Sequence, residues 1–341
     1  MRQEAHSLNS MRVVVALLAT LLSGAVHATD SAHHWIARMN SALLTRNYEG
    51  VLVHQIGPKR EVLRIVHRVQ DGRMDERVAL VSTDGPGREF VRKGSEWVAY
   101  YPEQKIALVQ TRNRSYGFLT ALNGVNDGSS RYYNISDAGA VSVHGRAAQL
   151  IRLEPLDALR YGYRFWLDIG TGLPLKTQLV ARSGEVLEEI AFINLSLPEK
   201  ISDELLKPEV DTKGFRWMNR DVPMHTPGLT ANYSPRKELL PAGFRVRIFT
   251  KPSEEAKAEG PRTRFIVSDG IAWVSVFVEK AEKEAVERDL KAAKAGGRAD
   301  GVVMVGSTAV FVAHTNGARI TVVGEVPPLT VRSIAEAVKP E

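Results

Sequence analysis

The chain has 341 residues, with 45 Lys and Arg against 39 Asp and Glu, 44% hydrophobic residues and no cysteine. At about 100–200 residues per domain this length favours two domains, and its near-average apolar and charged fractions exclude disordered, collagenous and disulfide-scaffold classes. The absence of cysteine removes thiolate catalysis, Cys-ligated zinc, iron–sulfur clusters and an N-terminal lipid anchor, and a net charge of +6 without a basic block is weak evidence for nucleic acid. Arg2 and Arg12 precede an apolar run over 13–22 and a small-residue stretch ending in Val26-His27-Ala28, the pattern of a cleavable secretory signal peptide over 1–28. Ten residues rise only about 15 Å as a helix, half a bilayer's hydrocarbon core, so a membrane anchor is the poorer reading. Export from the cytoplasm with a new N-terminus at Thr29 is expected, with Met11 as an alternative start.

Trp35, Ile36, Met39, Leu43 and Leu44 recur at three- and four-residue spacing, which predicts an amphipathic helix ending near Asn47. The period then changes. Segments 51–56, 62–69, 77–81, 89–92, 96–101 and 106–110 read as short strands of an antiparallel meander, most of them split by turn residues such as Gly57-Pro58 and Asp71-Gly72. A looser stretch, 111–140, mixes aromatics with Asn, Gly and Ser, and strands resume at 141–143, 147–153, 161–167, 175–181 and 186–194. Between Pro198 and Gly243 stand six of the sixteen prolines, with one short helix expected at 202–206. The chain therefore divides into 29–210, a linker over 211–234 that few core contacts are expected to cross, and a second domain over 235–341. In the second domain, strands are expected at 244–249, 263–267, 271–278, 302–305, 309–314 and 319–323. A charged helix is expected at 279–295, and a last helix after Pro327-Pro328 carries Val331, Ile334, Ala335 and Val338 on one face. The second half is a compact antiparallel α+β domain.

Catalytic chemistry is hard to find. No His-x-x-x-His or His-Glu-x-x-His spacing, nucleophile elbow or phosphate-binding loop occurs, and Asp75-Glu76 and Glu188-Glu189 put neighbouring carboxylates on opposite strand faces. His54 and His67 fall on predicted strands without a partner motif. No enzyme activity, cofactor or metal is expected. Binding features are more numerous: Tyr100, Tyr101, Tyr116, Phe118, Leu119, Tyr132 and Tyr133 either cap the ordinary core or line an apolar pocket. Arg88, Arg92, Lys93, Arg112 and Arg114 are either a solvated face or partners for phosphate.

Several strings, read in order, resemble the RseB/MucB family of periplasmic sigma-E factor regulatory proteins. They are Asn47-Tyr48-Glu49, Asp84-Gly85-Pro86-Gly87-Arg88-Glu89, Tyr101-Pro102, Trp166-Leu167-Asp168, Leu173-Pro174-Leu175, Val267-Ser268-Asp269-Gly270, Val274-Ser275-Val276 and Val323-Gly324-Glu325-Val326-Pro327-Pro328. One departure is Leu239, where the family commonly has tryptophan. The resemblance implies an N-terminal domain like the lipoprotein carrier LolA, a half-barrel antiparallel sheet cupping helices, with a smaller C-terminal domain. It further implies binding of the periplasmic part of a membrane-spanning anti-sigma factor, protection of that partner from regulated proteolysis, and release by lipid or lipopolysaccharide fragments. On that basis Tyr100, Tyr101, Arg112, Arg114, Tyr116, Phe118, Leu119, Tyr132 and Tyr133 are the expected lipid-binding residues. Ser268, Asp269, Gly270, Trp273, Gly324 and Glu325 are the expected partner-binding residues. Homo-oligomerisation is compatible with this reading, and a lipid or lipoprotein carrier is the alternative.

Overall fold

The computed structural model describes residues 31–81, 87–111, 119, 131–219, 233–250, 262–280, 301–315 and 318–340. Helix α1 (31–45) is followed by β1 (Tyr48–Ile56), β2 (Lys59–Gln70), β3 (Arg73–Leu80), β4 (Glu89–Lys93), β5 (Glu96–Tyr101) and β6 (Ile106–Thr111). Then come β7 (Tyr133–Val143), β8 (Arg146–Pro155), β9 (Gly162–Asp168), β10 (Pro174–Val180), β11 (Val186–Ser196) and β12 (Arg216–Asn219). These twelve strands make one sheet, ordered β12-β6-β5-β4-β3-β2-β1-β11-β10-β9-β8-β7. Every pairing is antiparallel except β12 beside β6. Such a sheet twists and curls, and its concave face closes over α1. The apolar stripe of the helix, Ala32, Ile36, Met39, Ala42 and Leu43, packs on Leu52, Leu63, Ile65, Val78, Phe165 and Phe192. Each fully buried Ile, Met, Leu, Val or Phe side chain among these contributes about 1.5–3 kcal/mol, so tertiary packing rather than propensity holds α1.

The second domain contains β13 (Tyr233–Pro235), β14 (Arg245–Thr250), β15 (Arg262–Ser268), β16 (Trp273–Lys280), β17 (Val302–Val305), β18 (Thr308–Thr315), β19 (Ala318–Gly324) and β20 (Val338–Pro340). Six of these strands form an antiparallel sheet ordered β14-β15-β16-β19-β18-β17. Helix α2 (Pro328–Ala337) starts with a proline, whose missing N–H costs nothing in the first turn, and buries Val331, Ile334 and Ala335 in the second core. The architecture is the expected one: an open half-barrel cupping a helix, plus a smaller antiparallel α+β domain.

Three local differences from the expected elements have physical causes. Tyr133–Val143 is a single strand rather than a loop with a short strand at its end; a register shift between Asp137 and Ala140 breaks the alternation that would have announced it. Arg216–Asn219, within the expected linker, pairs in parallel with β6. Ile271 precedes β16 and belongs to the core of the first domain. Contacts also cross between the domains at Thr330, whose hydroxyl donates to the Leu159 carbonyl at 2.7 Å, and at Ser307, whose hydroxyl donates to Glu188 at 2.9 Å. The domains therefore also meet away from the linker, at Ile271, Ser307 and Thr330. The short helix is a 3-10 turn, Asp203–Leu206. The expected helix at 279–295 lies outside the described residues beyond 280.

Candidate functional site

The chemistry of this chain gathers where the two domains meet. In an antiparallel sheet, directly paired residues share a face, so the register places Ile56, Glu188, Leu179, Tyr163 and Leu153 in one row across the concave side. Against this end of the half-barrel the second domain sets two turns. In the first, Asp269-Gly270-Ile271-Ala272, the Asp269 carboxylate accepts the N–H groups of Ile271 and Ala272 at 2.9 and 2.8 Å, and Gly270 takes φ +107°. That closed turn points Ile271 into the first core. The second turn carries Gly306, where a Cβ would stand 2.2 Å from Ile56 Cγ2, so a side chain there would push the domains apart.

Asp269 anchors the first turn to Arg160, in the connection between β8 and β9. The Arg160 Nε donates to Asp269 at 2.7 Å, and neither side chain has any solvent exposure. The two guanidinium Nη groups donate to Asp157 and to the Ala242 carbonyl. Its Cζ lies 4.4 Å from the Tyr132 ring centroid and 4.9 Å from that of Phe244. Tyr133 donates its hydroxyl to Asp269 at 3.1 Å; burial, with the Asp269 charge adding to it, pushes that phenol well above its ordinary range. A buried ion pair between domains is stable only when its remaining polar groups find partners, and here each of the three guanidinium nitrogens has one.

Beside this latch opens a cavity of about 400 Å³. Phe165, Leu179 and Ile190 from the first domain and Ile271 and Trp273 from the second supply apolar walls, while Glu188, Glu325, Tyr163, Thr177 and Thr308 supply the polar part. Glu188 receives the Ser307 hydroxyl on one oxygen and meets His54 Nε2 at 2.7 Å on the other. The carboxylate of Glu325 is reached by solvent through the cavity mouth, yet protein crowds it on its other sides. Desolvation first, and the Glu188 charge second, push its pKa up to about 7, with His54 opposing. Burial and the same two carboxylates also raise the Tyr163 phenol, so it stays a protonated hydroxyl on the cavity wall.

A group whose folded pKa exceeds its ordinary value of 4.5 adds stability that is fully present below that value and lost as pH rises through about 7. Glu325→Gln is therefore expected to be more stable than the parent chain at pH 8, with the gap closing by pH 5. Because the side chain is solvent-accessible, the gap should stay below about 1 kcal/mol. Unfolding midpoints of the two proteins between pH 5 and 8 measure it, and a pH-independent gap would contradict the assignment.

The structure scatters the expected lipid-binding aromatics. Adjacent on β5, Tyr100 and Tyr101 point to opposite faces: Tyr100 packs with Val91, Val98 and Val210 and edge-on to Trp217, and Tyr101 is half-buried on the other face. Leu119 lines the cavity, Tyr132 covers Arg160, and Tyr133 is a core residue bound to Asp269. Arg112, Arg114, Tyr116 and Phe118 lie outside the described residues. Of the expected partner-binding residues, Trp273, Gly324 and Glu325 line the cavity, whereas Ser268 is buried with its hydroxyl accepting the Gly270 N–H, and Asp269 and Gly270 build the latch turn. Sequence reasoning missed Arg160, Glu188, Ile271 and the His54–Glu188 pair. Among the described residues, no group of His, Asp and Glu could hold a metal ion, and no helix is long and apolar enough to cross a membrane.

The family models described as the MucB/RseB N-terminal and C-terminal domains match residues 31–210 and 230–339. The sigma-E factor regulatory protein RseB of Salmonella typhimurium is 26% identical over 336 residues, covering 97% of this chain and 96% of that protein. The sigma factor AlgU regulatory protein MucB of Pseudomonas aeruginosa is 27% identical over 337 residues, covering 96% and 97%. Among solved structures, MucB in complex with MucA(peri) superposes with a TM-score of 0.63 at 25% identity, over 91% of this chain and 99% of that one. The MucA/MucB complex of Pseudomonas aeruginosa gives 0.64 at 24% identity over the same shares. With both domain models matched in order and relatives similar from end to end, the chain belongs to the MucB/RseB family.

Proposed function

We propose that this protein is a periplasmic negative regulator of an envelope-stress sigma factor. It binds the periplasmic part of a transmembrane anti-sigma factor and shields it from regulated proteolysis until lipid or lipopolysaccharide fragments release it. The observation that carries this reading is the cavity between the domains, with walls drawn from both. An occupant there feels the arrangement of the two domains, and a ligand displaces a partner only by binding one arrangement more tightly than the other. Relatives named as sigma factor regulatory proteins, and a MucB structure in complex with MucA(peri), support the choice of partner. A lipid or lipoprotein carrier is the second reading, because an apolar cavity also suits transport. The second domain, which supplies five of the fourteen residues lining the cavity, has no purpose in a simple shuttle.

Titrating the mature chain with a labelled anti-sigma periplasmic segment, with and without a phosphorylated lipid, tests the scheme. The expected weakening is about 5–150-fold, a coupling of about 1–3 kcal/mol, and linkage requires the segment to weaken lipid binding by the same factor. Replacing Arg112 and Arg114 with alanine should weaken anionic lipid binding and its salt dependence while sparing the segment. Equal segment affinity with lipid demonstrably bound would favour the carrier.

A further inference from the structure

The cavity lining contains two carboxylates, Glu188 and Glu325, and, among the described residues, no Lys or Arg. Glu188 already has His54 and Ser307. Among the described residues Glu325 forms no hydrogen bond or ion pair, and its electrostatic neighbours are Glu188 and, opposing, His54. The geometry points to an extended peptide segment of the protein partner as the occupant, with a Lys or Arg seated at Glu325 and Glu188 and an adjacent apolar side chain on Phe165, Leu179 and Ile271. This assignment rests on the regulator reading and adds to it the chemistry of the contact.

Charge complementarity selects this occupant. An anionic lipid headgroup would meet two carboxylates, Glu188 and a Glu325 that gains its charge as pH rises through about 7, and like-charge juxtaposition is unfavourable. A basic side chain satisfies both halves of the lining at once: its aliphatic stem lies along the apolar wall while its head reaches the carboxylates. The volume of about 400 Å³ falls in the lower part of the range for ligand pockets and suits a few side chains. Because the occupant bridges walls from both domains, the same contact would report their arrangement to the partner. A phosphorylated lipid that competes with the segment would then act from elsewhere on the chain.

The test is a double-mutant cycle on the full mature chain with the labelled anti-sigma periplasmic segment as probe, each of its Lys and Arg residues changed singly to methionine. At one basic position, neutralisation should weaken binding by about tenfold in the parent chain, and by less than about twofold in Glu325→Gln or Glu188→Gln. A photo-crosslinker placed beside that position should label residues 271–273 or 324–325. Basic positions whose effects are equal in parent and variants, or a crosslink confined to other surfaces, would overturn the assignment while leaving the regulator reading intact. Failure of the unmodified segment to bind the parent chain would overturn both.

Discussion

Arg160→Ala is expected to destabilise the folded chain by about 3–5 kcal/mol, the loss typical of breaking a buried ion pair by removing one partner. Arg160 and Asp269 have no exposed side-chain surface, so water does not screen the remaining charge. After truncation Asp269 still accepts from Tyr133, Ile271 and Ala272, but it faces no cation and borders the hole left between Tyr132 and Phe244. Arg160→Met fills much of that hole while leaving the carboxylate uncompensated, and Arg160→Met with Asp269→Asn removes both charges. The double variant should recover part of the loss, since replacing a buried pair by groups of similar volume is often nearly neutral. Urea unfolding of the three variants measures this. A loss below about 1 kcal/mol for Arg160→Ala would mean that the junction opens to water and that the pair acts as a surface salt bridge.

Much of the first domain was legible because its signals are local. Asp71-Gly72 is a two-residue turn with both residues at positive φ, and such a turn fixes the register of the strands it joins. That register sets His67 opposite Glu76, and their side chains meet at 2.9 Å with about 1% exposure each. The histidine therefore had a partner deducible from the turn, although no motif announces it. The same register puts Asp75 on the other face with Arg68, as the alternation of adjacent residues requires.

The junction left no local trace. Arg160 and Asp269 are 109 residues apart, in connections whose sequences read as ordinary turns. Ile271 continues an apolar run into β16 and looks like its first strand residue; only the closed turn made by Asp269 sends it to the other domain. The aromatic residues were legible as apolar mass, but which face each takes depends on the strand phase. Tyr100 and Tyr101 part company for that reason. Prolines between the domains suggested independence, yet composition describes the linker alone and is silent about surfaces that meet elsewhere. A first domain freed of the second would expose the apolar surface now covered by Ile271.

Gly243→Ala should cost about 2–4 kcal/mol and act through the same latch. Gly243 has φ +84°, a conformation that costs an L-residue about 1–2 kcal/mol, and a Cβ there would stand 2.6 Å from Tyr132 Cε2 and 2.7 Å from Arg160 Nη2. Clashes with the far ends of side chains are normally cheap because those ends swing aside. Here they cannot do so freely: the guanidinium is bound to Asp269, to Asp157 and to the carbonyl of Ala242, the residue preceding the new methyl group, and Tyr132 covers its face. Moving Arg160 forfeits the interdomain pair, so the methyl group and the loss of Arg160 should share part of one cost. The Arg160→Ala, Gly243→Ala double variant is accordingly expected to lose less than the sum of the singles by at least about 1 kcal/mol, the signature of residues in one network. Strict additivity would show that the guanidinium escapes the methyl group without leaving Asp269, and would reduce the effect at Gly243 to backbone strain.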